Sequence, residues 1–181
     1  GDIAAWDTQG TIDGEINIGG GDTPIDGNID MTDMTADQVK AAIDAAIAAG
    51  ITEFKLTGPI ANLGIKEDYT QSTSNPFYDT GVTKVDLSGV TGWQTVAYSN
   101  FPDVTSSVAG LPAYTFYGCA ALTEVVLPAE VKAIGLGAFL SCTSLSTINL
   151  KDVTHIGKQA FGFCEALTVV DLSAVINLYM E

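Results

Sequence analysis

The strongest constraint on the fold is an internal repeat in the second half of the chain. Phe116, Phe139 and Phe161 follow one another at steps of 23 and 22 residues, and each precedes a cysteine by three positions and a leucine by six. An Ile-Gly pair recurs between the copies, at 134–135 and 156–157. A unit of about 22 residues cannot bury its own apolar face, so neighbouring units must stack. The sequence therefore predicts a solenoid in which equivalent residues form buried columns.

Each copy ends in two apolar residues at alternate positions, as in a strand with one buried side. The predicted inward residues are Val125, Leu127, Ile148, Leu150, Val170 and Leu172. Residues between and beside them must point outward, and they form the predicted binding surface, which we call the sheet face. Its members are Lys55, Lys84, Asp86, Glu124, Val126, Thr147, Asn149, Val169 and Asp171, with Glu53 beside them. A constant frame with variable outward positions is typical of a recognition surface.

Weaker copies precede the three clear ones. Phe77 and the segment 82–87 reproduce part of the unit. The next copy fits two registers: Tyr98 at the phenylalanine position, with a step of 18 residues to Phe116, or Trp93, with a step of 23. We favour the register with Tyr98, and the one with Trp93 stays open.

The first half of the chain predicts one helix among short strands. The stretch from Thr35 to Gln38 fits a capping box, apolar residues follow at helical spacing, and Gly50 supplies a left-handed end, so a helix is expected over 36–49. Period-two alternation predicts strands over 11–21, 25–31 and 51–57. Residues 64–76 are expected to form an irregular loop. These boundaries divide the chain into an acidic Asp/Gly-rich extension (1–34), an N-terminal cap of helix and first strand (35–63) and the solenoid (64–181).

The repeat, read as A-F-x-x-C-x-x-L-x-x-I-x-L followed by I-G, closely resembles the BspA-type leucine-rich repeats of surface proteins from gut and oral bacteria. The similarity covers about residues 77–175. It implies a leucine-rich-repeat solenoid of the α/β type, whose short parallel strands form one curved sheet. It also implies an exported protein at the cell surface or outside the cell, which binds a host or bacterial protein without catalysis. The segment 1–34, partly β, has no counterpart in the family pattern.

The charge excludes several classes of function. The chain of 181 residues has 22 acidic residues against 7 lysines and no arginine, a net charge of −15, and residues 1–50 carry −9 of it. Nucleic-acid binding and docking on anionic lipid both require clustered basic residues, so neither is expected. No apolar run approaches the roughly 20 residues of a membrane-spanning helix, so membrane insertion by this segment is not expected. The chain begins at Gly1 without Met, as expected of a processed chain shown without its targeting segment.

Few residues suggest chemistry. Cys119, Cys142 and Cys164 lack the close spacing of zinc ligands, and the repeat explains them as a buried column, so no cofactor is expected. The single His155 takes the place of Ala133 in the preceding repeat, a linker position expected to be exposed, and no nucleophile motif accompanies it. Asp26, Asn28 and Asp30 place oxygen ligands at alternate positions, a weak calcium candidate that lacks the usual glycine and terminal glutamate.

Three functional hypotheses remain. The first is a non-catalytic module that binds a protein, with a glycan as a second ligand class, through the sheet face. The second is a structural block that self-associates through the apolar segment 175–180, because no polar capping unit follows it. The third, more remote, is a hydrolase with an unrecognised pair of carboxylates.

Overall fold

A computed structural model of the chain describes residues 26–99 and 104–179. Its helix and strands are, in chain order, β1 (Asn28–Asp30), α1 (Ala36–Ala48), β2 (Glu53–Pro59), β3 (Lys84–Thr91), β4 (Gln94–Ala97), β5 (Thr105–Leu111), β6 (Glu124–Val126), β7 (Ala133–Ile134), β8 (Thr147–Ile148), β9 (His155–Ile156) and β10 (Asn177–Leu178). Two short 3-10 helices, Ile60–Leu63 and Ser72–Ser74, lie between β2 and β3. The predicted strand over 11–21 lies outside the described residues.

The helix α1 forms where the sequence predicts it. The Thr35 hydroxyl accepts a hydrogen bond from the Gln38 amide, and the Gln38 side chain accepts one from the Thr35 amide, which completes the capping box. Its apolar face, with Val39, Ile43 and Ala46, is buried in the main core. Gly50 follows the helix with a φ of +86°. The helix packs against the 3-10 helix Ile60–Leu63, and its buried residues belong to the same core as Phe54 and Leu56 of β2.

The strands form two five-stranded sheets, and the prediction of one curved sheet is wrong. The first sheet has the order β1-β2-β3-β6-β8, with every neighbouring pair parallel. The second has the order β10-β9-β7-β5-β4, parallel except for the β4–β5 hairpin. The units that start at Phe116 and Phe139 each contribute one strand to each sheet, β6 and β7 from the first and β8 and β9 from the second, and the strands of the second sheet come from the Ile-Gly segments. These second strands are only two residues long, too short to show a period in the sequence.

The phenylalanine column is present and begins earlier than either proposed register allows. The ring centroids of Phe77 and Phe116 are 5.4 Å apart, those of Phe116 and Phe139 5.4 Å, and those of Phe139 and Phe161 5.2 Å. Phe77 therefore takes the place assigned to Tyr98 or Trp93, and both registers are wrong. The unit that starts at Phe77 is longer because it holds the β4–β5 hairpin, and Tyr98 packs instead against Tyr179 at 5.4 Å.

The repeated Ile-Gly pair is explained by close stacking of the backbone. A Cβ added to Gly135 would lie 2.5 Å from the Ala113 nitrogen, and one added to Gly157 would lie 2.8 Å from the Leu136 nitrogen. Both distances are shorter than ordinary contact, and the atoms that would be struck belong to the backbone of the preceding unit. Only glycine permits this approach, so the pair follows from the distance between stacked units.

Two further expectations are corrected by burial. His155 is buried, not exposed, because the second strand of its unit faces the core, as does Ala133 in the unit before. Leu172 is 40% exposed although it was expected inside, since residues 168–172 form no strand and no further unit covers them among the described residues. The segment after them pairs through β10 with β9, in register with His155.

Candidate functional site

The outer surface of the first sheet contains a groove with a volume of about 400 Å³. Five predicted members of the sheet face line it, which are Lys55, Lys84, Asp86, Glu124 and Val126. Parallel pairing brings them together, because Lys55 is in register with Asp86 and Asp86 with Val126. Since side chains alternate along each strand, Phe54 and Val85 point into the core beneath them. The structure therefore places these five residues together, and their role in binding stays a prediction.

Charges of opposite sign alternate across the groove. The Lys84 Nζ lies 3.6 Å from the Glu124 Oε2, and the Lys55 Nζ lies 3.9 Å from the Asp86 Oδ2. Both pairs are largely exposed, so each contributes little to stability, in the range of about 0–1 kcal/mol. Because these ion pairs are long and solvated, replacing them by contacts with a ligand costs little free energy. This property is suited to a binding surface.

Asp86 is the least exposed carboxylate of the two pairs. Its burial acts to raise the pKa, but hydrogen bonds from the Ser88 side chain and amide, with the nearby charge of Lys55, outweigh this and place the pKa below its usual value. The Ser88 amide donates to the Asp86 Oδ1 at 2.8 Å, which fixes the carboxylate. Asp86 is therefore ionised at neutral pH, with its second oxygen directed toward Lys55.

The remaining predicted members lie toward the end of the array and do not line the groove. Thr147 is in register with Glu124 on β8, and Asn149 follows that strand with its side chain accepting from the Lys151 amide. Val169 and Asp171 lie beyond the last strand of this sheet, with Val169 82% exposed. Hydrogen bonds from the Ser173 side chain and from the Ser173 amide lower the pKa of Asp171. The sheet face thus has a grooved part and a part that lies outside the groove.

Sequence reasoning missed that Asp26 and Asn28 belong to the grooved part. Asn28 lies on β1 in register with Lys55, and both residues line the groove. The alternation over 25–31 indicated a strand, but nothing in it indicated which strand it would pair with. The acidic segment was therefore treated as separate from the surface that it completes.

The calcium candidate in this segment stays a prediction. Asp26 accepts hydrogen bonds from the Asn28 amide and side chain, and Asp30 accepts from the Thr32 amide and hydroxyl. These side-chain hydrogen bonds lower the pKa of both aspartates. No group of three or more His, Cys, Asp or Glu side chains suited to a metal ion occurs within residues 26–99 and 104–179.

The three cysteines form the column that the repeat predicts, with Cys119 and Cys142 buried and Cys164 half-buried at its end. The Cys119 thiol donates to the Phe77 carbonyl at 2.8 Å, the Cys142 thiol to the Phe116 carbonyl at 3.1 Å, and the Cys164 thiol to the Phe139 carbonyl at 3.2 Å. Each thiol thereby links its unit to the one before. Burial raises the pKa of Cys119 to about 12 and that of Cys164 to about 11. Such thiols are poor nucleophiles and poor metal ligands.

His155 forms a polar contact that the sequence did not indicate. Its Nε2 lies 3.1 Å from the Ser107 Oγ, and its Nδ1 lies 2.8 Å from the Thr154 Oγ1. A hydrolytic triad would require a carboxylate at Nδ1, and in the described structure a hydroxyl occupies that position. The contact joins the β4–β5 hairpin to β9.

In residues 26–99 and 104–179, no helix has both the length and the apolar character needed to cross a bilayer.

Comparison with known proteins gives one family. The family model described as the BspA type leucine rich repeat region matches residues 97–179 in six copies. Comparisons with curated proteins and with solved structures give no significant match.

Proposed function

Because residues 97–179 belong to the BspA-type leucine-rich repeat family, we propose that this protein is a non-catalytic module that binds another protein through the sheet face. Leucine-rich repeats generally mediate protein–protein interaction or adhesion, and the family is generally non-catalytic. The family is typically associated with bacterial surface proteins, which supports an exported location at the cell surface. A host or bacterial protein is the expected partner, and a glycan is the second ligand class.

The groove on the first sheet is the observation that carries this proposal. Its alternating lysines and carboxylates would select a partner by charge pattern, and Val126, 40% exposed at its edge, offers apolar area. The described lining holds two lysines, Lys55 and Lys84, against the carboxylates of Asp26, Glu53, Asp86 and Glu124. The groove therefore favours a partner surface with excess positive charge.

The test is binding to a panel of immobilised, purified extracellular proteins of graded charge, measured by biolayer interferometry. Glu124→Lys and Val126→Arg should weaken any saturable interaction by at least about tenfold, since one replaces a carboxylate of the groove by a cation and the other fills the surface with a bulky cation. Asp44→Lys makes the same charge change on α1, outside the groove, and should have no effect. Equal loss in all three variants would indicate a non-specific electrostatic interaction, and unchanged binding in the two groove variants would place the site elsewhere.

A second candidate function is self-assembly through the end of the array. Phe163 and Ile176 are 71% and 76% exposed, and β8 and β10 are edge strands of their sheets. Exposed apolar residues beside open strand edges favour association with a further strand. Light scattering of the chain and of the Ile176→Lys variant distinguishes the two functions. A dimer lost in the variant supports assembly, and a monomer in both samples contradicts it.

The proposed division of the chain belongs to the same hypothesis. Removal of residues 1–25 should leave the array folded, since β1 and all later strands lie outside the deleted segment. Circular dichroism and thermal unfolding of the shortened chain test this. A loss of the cooperative transition would show that the extension is part of the fold.

A further inference from the structure

A second, larger cleft lies away from the sheet face. It has a volume of about 830 Å³, and its lining includes Glu67, Asp68, Tyr69, Thr95, Tyr114 and Gln159. These residues come from the irregular loop, from β4 and from turns that precede two of the repeated phenylalanines. No member of the sheet face lines it. The cleft is thus a separate site on the molecule.

Tyr69 presents an aromatic ring at this cleft in a fixed orientation. It is 58% exposed, yet its ring packs against Tyr114 at 5.8 Å and against Tyr117 at 6.0 Å. The Tyr69 and Tyr117 hydroxyls are 3.4 Å apart, which holds the outer edge of the ring. Tyr114 is buried and supports the ring from below. An exposed ring that is held in place loses little conformational entropy when a ligand stacks on it.

Two carboxylates lie next to this ring in the chain and line the same cleft. The Asp68 Oδ1 accepts from the Thr70 amide at 2.9 Å and from the Thr70 hydroxyl at 2.8 Å. The Glu67 Oε2 accepts from the Ala97 amide at 2.8 Å and from the Ala113 amide at 2.7 Å. In both cases the hydrogen bonds described involve one oxygen of the carboxylate, so the group is fixed while its charge remains at the cleft.

Among the described residues that line the cleft there is no basic side chain. Lys66 and Lys158 adjoin lining residues in the chain, but neither is part of the lining. The whole protein carries a net charge of −15. A site with an aromatic face, two carboxylates and no cation attracts positive charge and repels phosphate, sulfate and acidic sugars.

We propose that this cleft binds an arginine side chain of a protein partner, with the guanidinium stacked on Tyr69 and paired with the Asp68 carboxylate. Guanidinium is planar, stacks on aromatic rings and pairs with carboxylates through two parallel hydrogen bonds, which lysine cannot do. The volume also accommodates the residues on either side of the arginine. This site is independent of the sheet face, because the two surfaces share no lining residue.

The experiment is titration of the full chain with the capped peptide acetyl-Gly-Arg-Gly-Arg-Gly-amide, followed by NMR chemical shifts at low salt. The matched ligand replaces both arginines by citrulline, which has the same shape without the charge.

Four variants of the protein accompany the two ligands. Asp68→Asn removes the charge of the carboxylate and keeps an oxygen that can accept from the Thr70 amide. Asp30→Asn is its control, because Asp30 makes the same turn, at 3.0 Å to the Thr32 amide and 2.6 Å to the Thr32 hydroxyl, away from the cleft. Tyr69→Leu removes the ring, and Tyr78→Leu removes another ring that packs on Tyr117, outside the lining.

The arginine peptide should bind, and the citrulline peptide should bind at least about fivefold more weakly. Asp68→Asn and Tyr69→Leu should each weaken binding by about three- to fivefold, while Asp30→Asn, Tyr78→Leu and the uncharged groove variant Val126→Leu should not change it. Raising the salt from 20 to 300 mM should weaken it further. Equal binding of both peptides, no binding of either, or equal effects of Asp68→Asn and Asp30→Asn would overturn the proposal. Saturable binding of a neutral oligosaccharide that is lost in Tyr69→Leu but kept in Asp68→Asn would overturn it in favour of a glycan site.

Discussion

Replacing Gly135 by alanine tests whether the distance between stacked units makes the Ile-Gly pair necessary. The new Cβ would lie 2.5 Å from the Ala113 nitrogen and 2.8 Å from the Leu111 oxygen. Both are backbone atoms, one in the last residue of β5 and the other in the turn that follows it, so no side chain can rotate away. Relief requires the units to separate locally by roughly 1 Å, and inserting a methyl group into a packed interior costs about 1–3 kcal/mol. Because backbone pairing between β5 and β7 must also stretch, we expect a loss near the upper end, about 3 kcal/mol.

Two other glycines separate this cause from general effects of adding a side chain. Gly81 has an ordinary φ and nothing within 4 Å of an added Cβ, so Gly81→Ala should be neutral or stabilise by up to about 1 kcal/mol. Gly50 also has open space but a φ of +86°, so Gly50→Ala should cost about 1–2 kcal/mol from backbone strain alone. The expected order of stability is therefore Gly81→Ala, Gly50→Ala and Gly135→Ala.

The assay is urea unfolding of all three variants, followed by circular dichroism and by tryptophan fluorescence. Coincident transitions are needed before free energies are compared, because repeat arrays can unfold in parts. A loss of about 3 kcal/mol corresponds to a decrease in Tm of about 6–12 °C for a chain of this size. A free energy of unfolding for Gly135→Ala within about 0.5 kcal/mol of that of the unchanged chain would refute this explanation. The close approach of the units would then not account for the recurrence of Ile-Gly in the repeat.

Three further predictions follow from individual contacts. Phe163 is 71% exposed, has a φ of +59° and occupies the position of Gly118 in its repeat, so its backbone is strained. Phe163→Gly should therefore raise the free energy of unfolding, measured by urea titration, by about 1 kcal/mol. A decrease would show that this backbone conformation does not cost stability. Glu67→Ala should lower the free energy of unfolding by about 2 kcal/mol, because the Ala97 and Ala113 amides lose their acceptor. Glu67→Gln keeps an acceptor and should lower the free energy of unfolding clearly less. Equal losses in the two variants would show that these hydrogen bonds are not the cause. Burial raises the pKa of Cys119 to about 12, so the thiol loses its proton at a lower pH in the unfolded chain than in the folded chain. The free energy of unfolding should therefore be constant below about pH 9 and fall above it by about 1 kcal/mol per pH unit for each buried thiol. A free energy of unfolding that does not change between pH 8 and pH 11 would exclude this.

The repeat predicted the interior of the array well. A period of 22 or 23 residues forces equivalent side chains to stack, and the structure has Phe116, Phe139 and Phe161 in one column and the three cysteines in another. The capping box at Thr35 was also predictable, because it depends on local sequence. The outward position of Lys55, Lys84 and Asp86 was predictable as well, because side chains alternate along a strand, while the role of these residues in binding stays a prediction.

Other features could not be obtained from the sequence because they depend on pairing between distant segments. The second sheet consists largely of two-residue strands, which carry no period, and the buried position of His155 follows from that sheet. The place of Phe77 in the column depends on the β4–β5 hairpin, an insertion that breaks the spacing on which the repeat was recognised.

The sequence by itself determined which residues stack, because a repeat that cannot bury its own core must place each copy on the next. The tertiary structure decided which surfaces lie beside that core. Asn28 joins the groove only because β1 pairs with β2, and Tyr69 reaches the cleft only because a loop without repeat character packs against Tyr114. Periodicity specifies contacts between equivalent positions, whereas contacts between repeated and unrepeated segments are specified only by the packing of the folded chain.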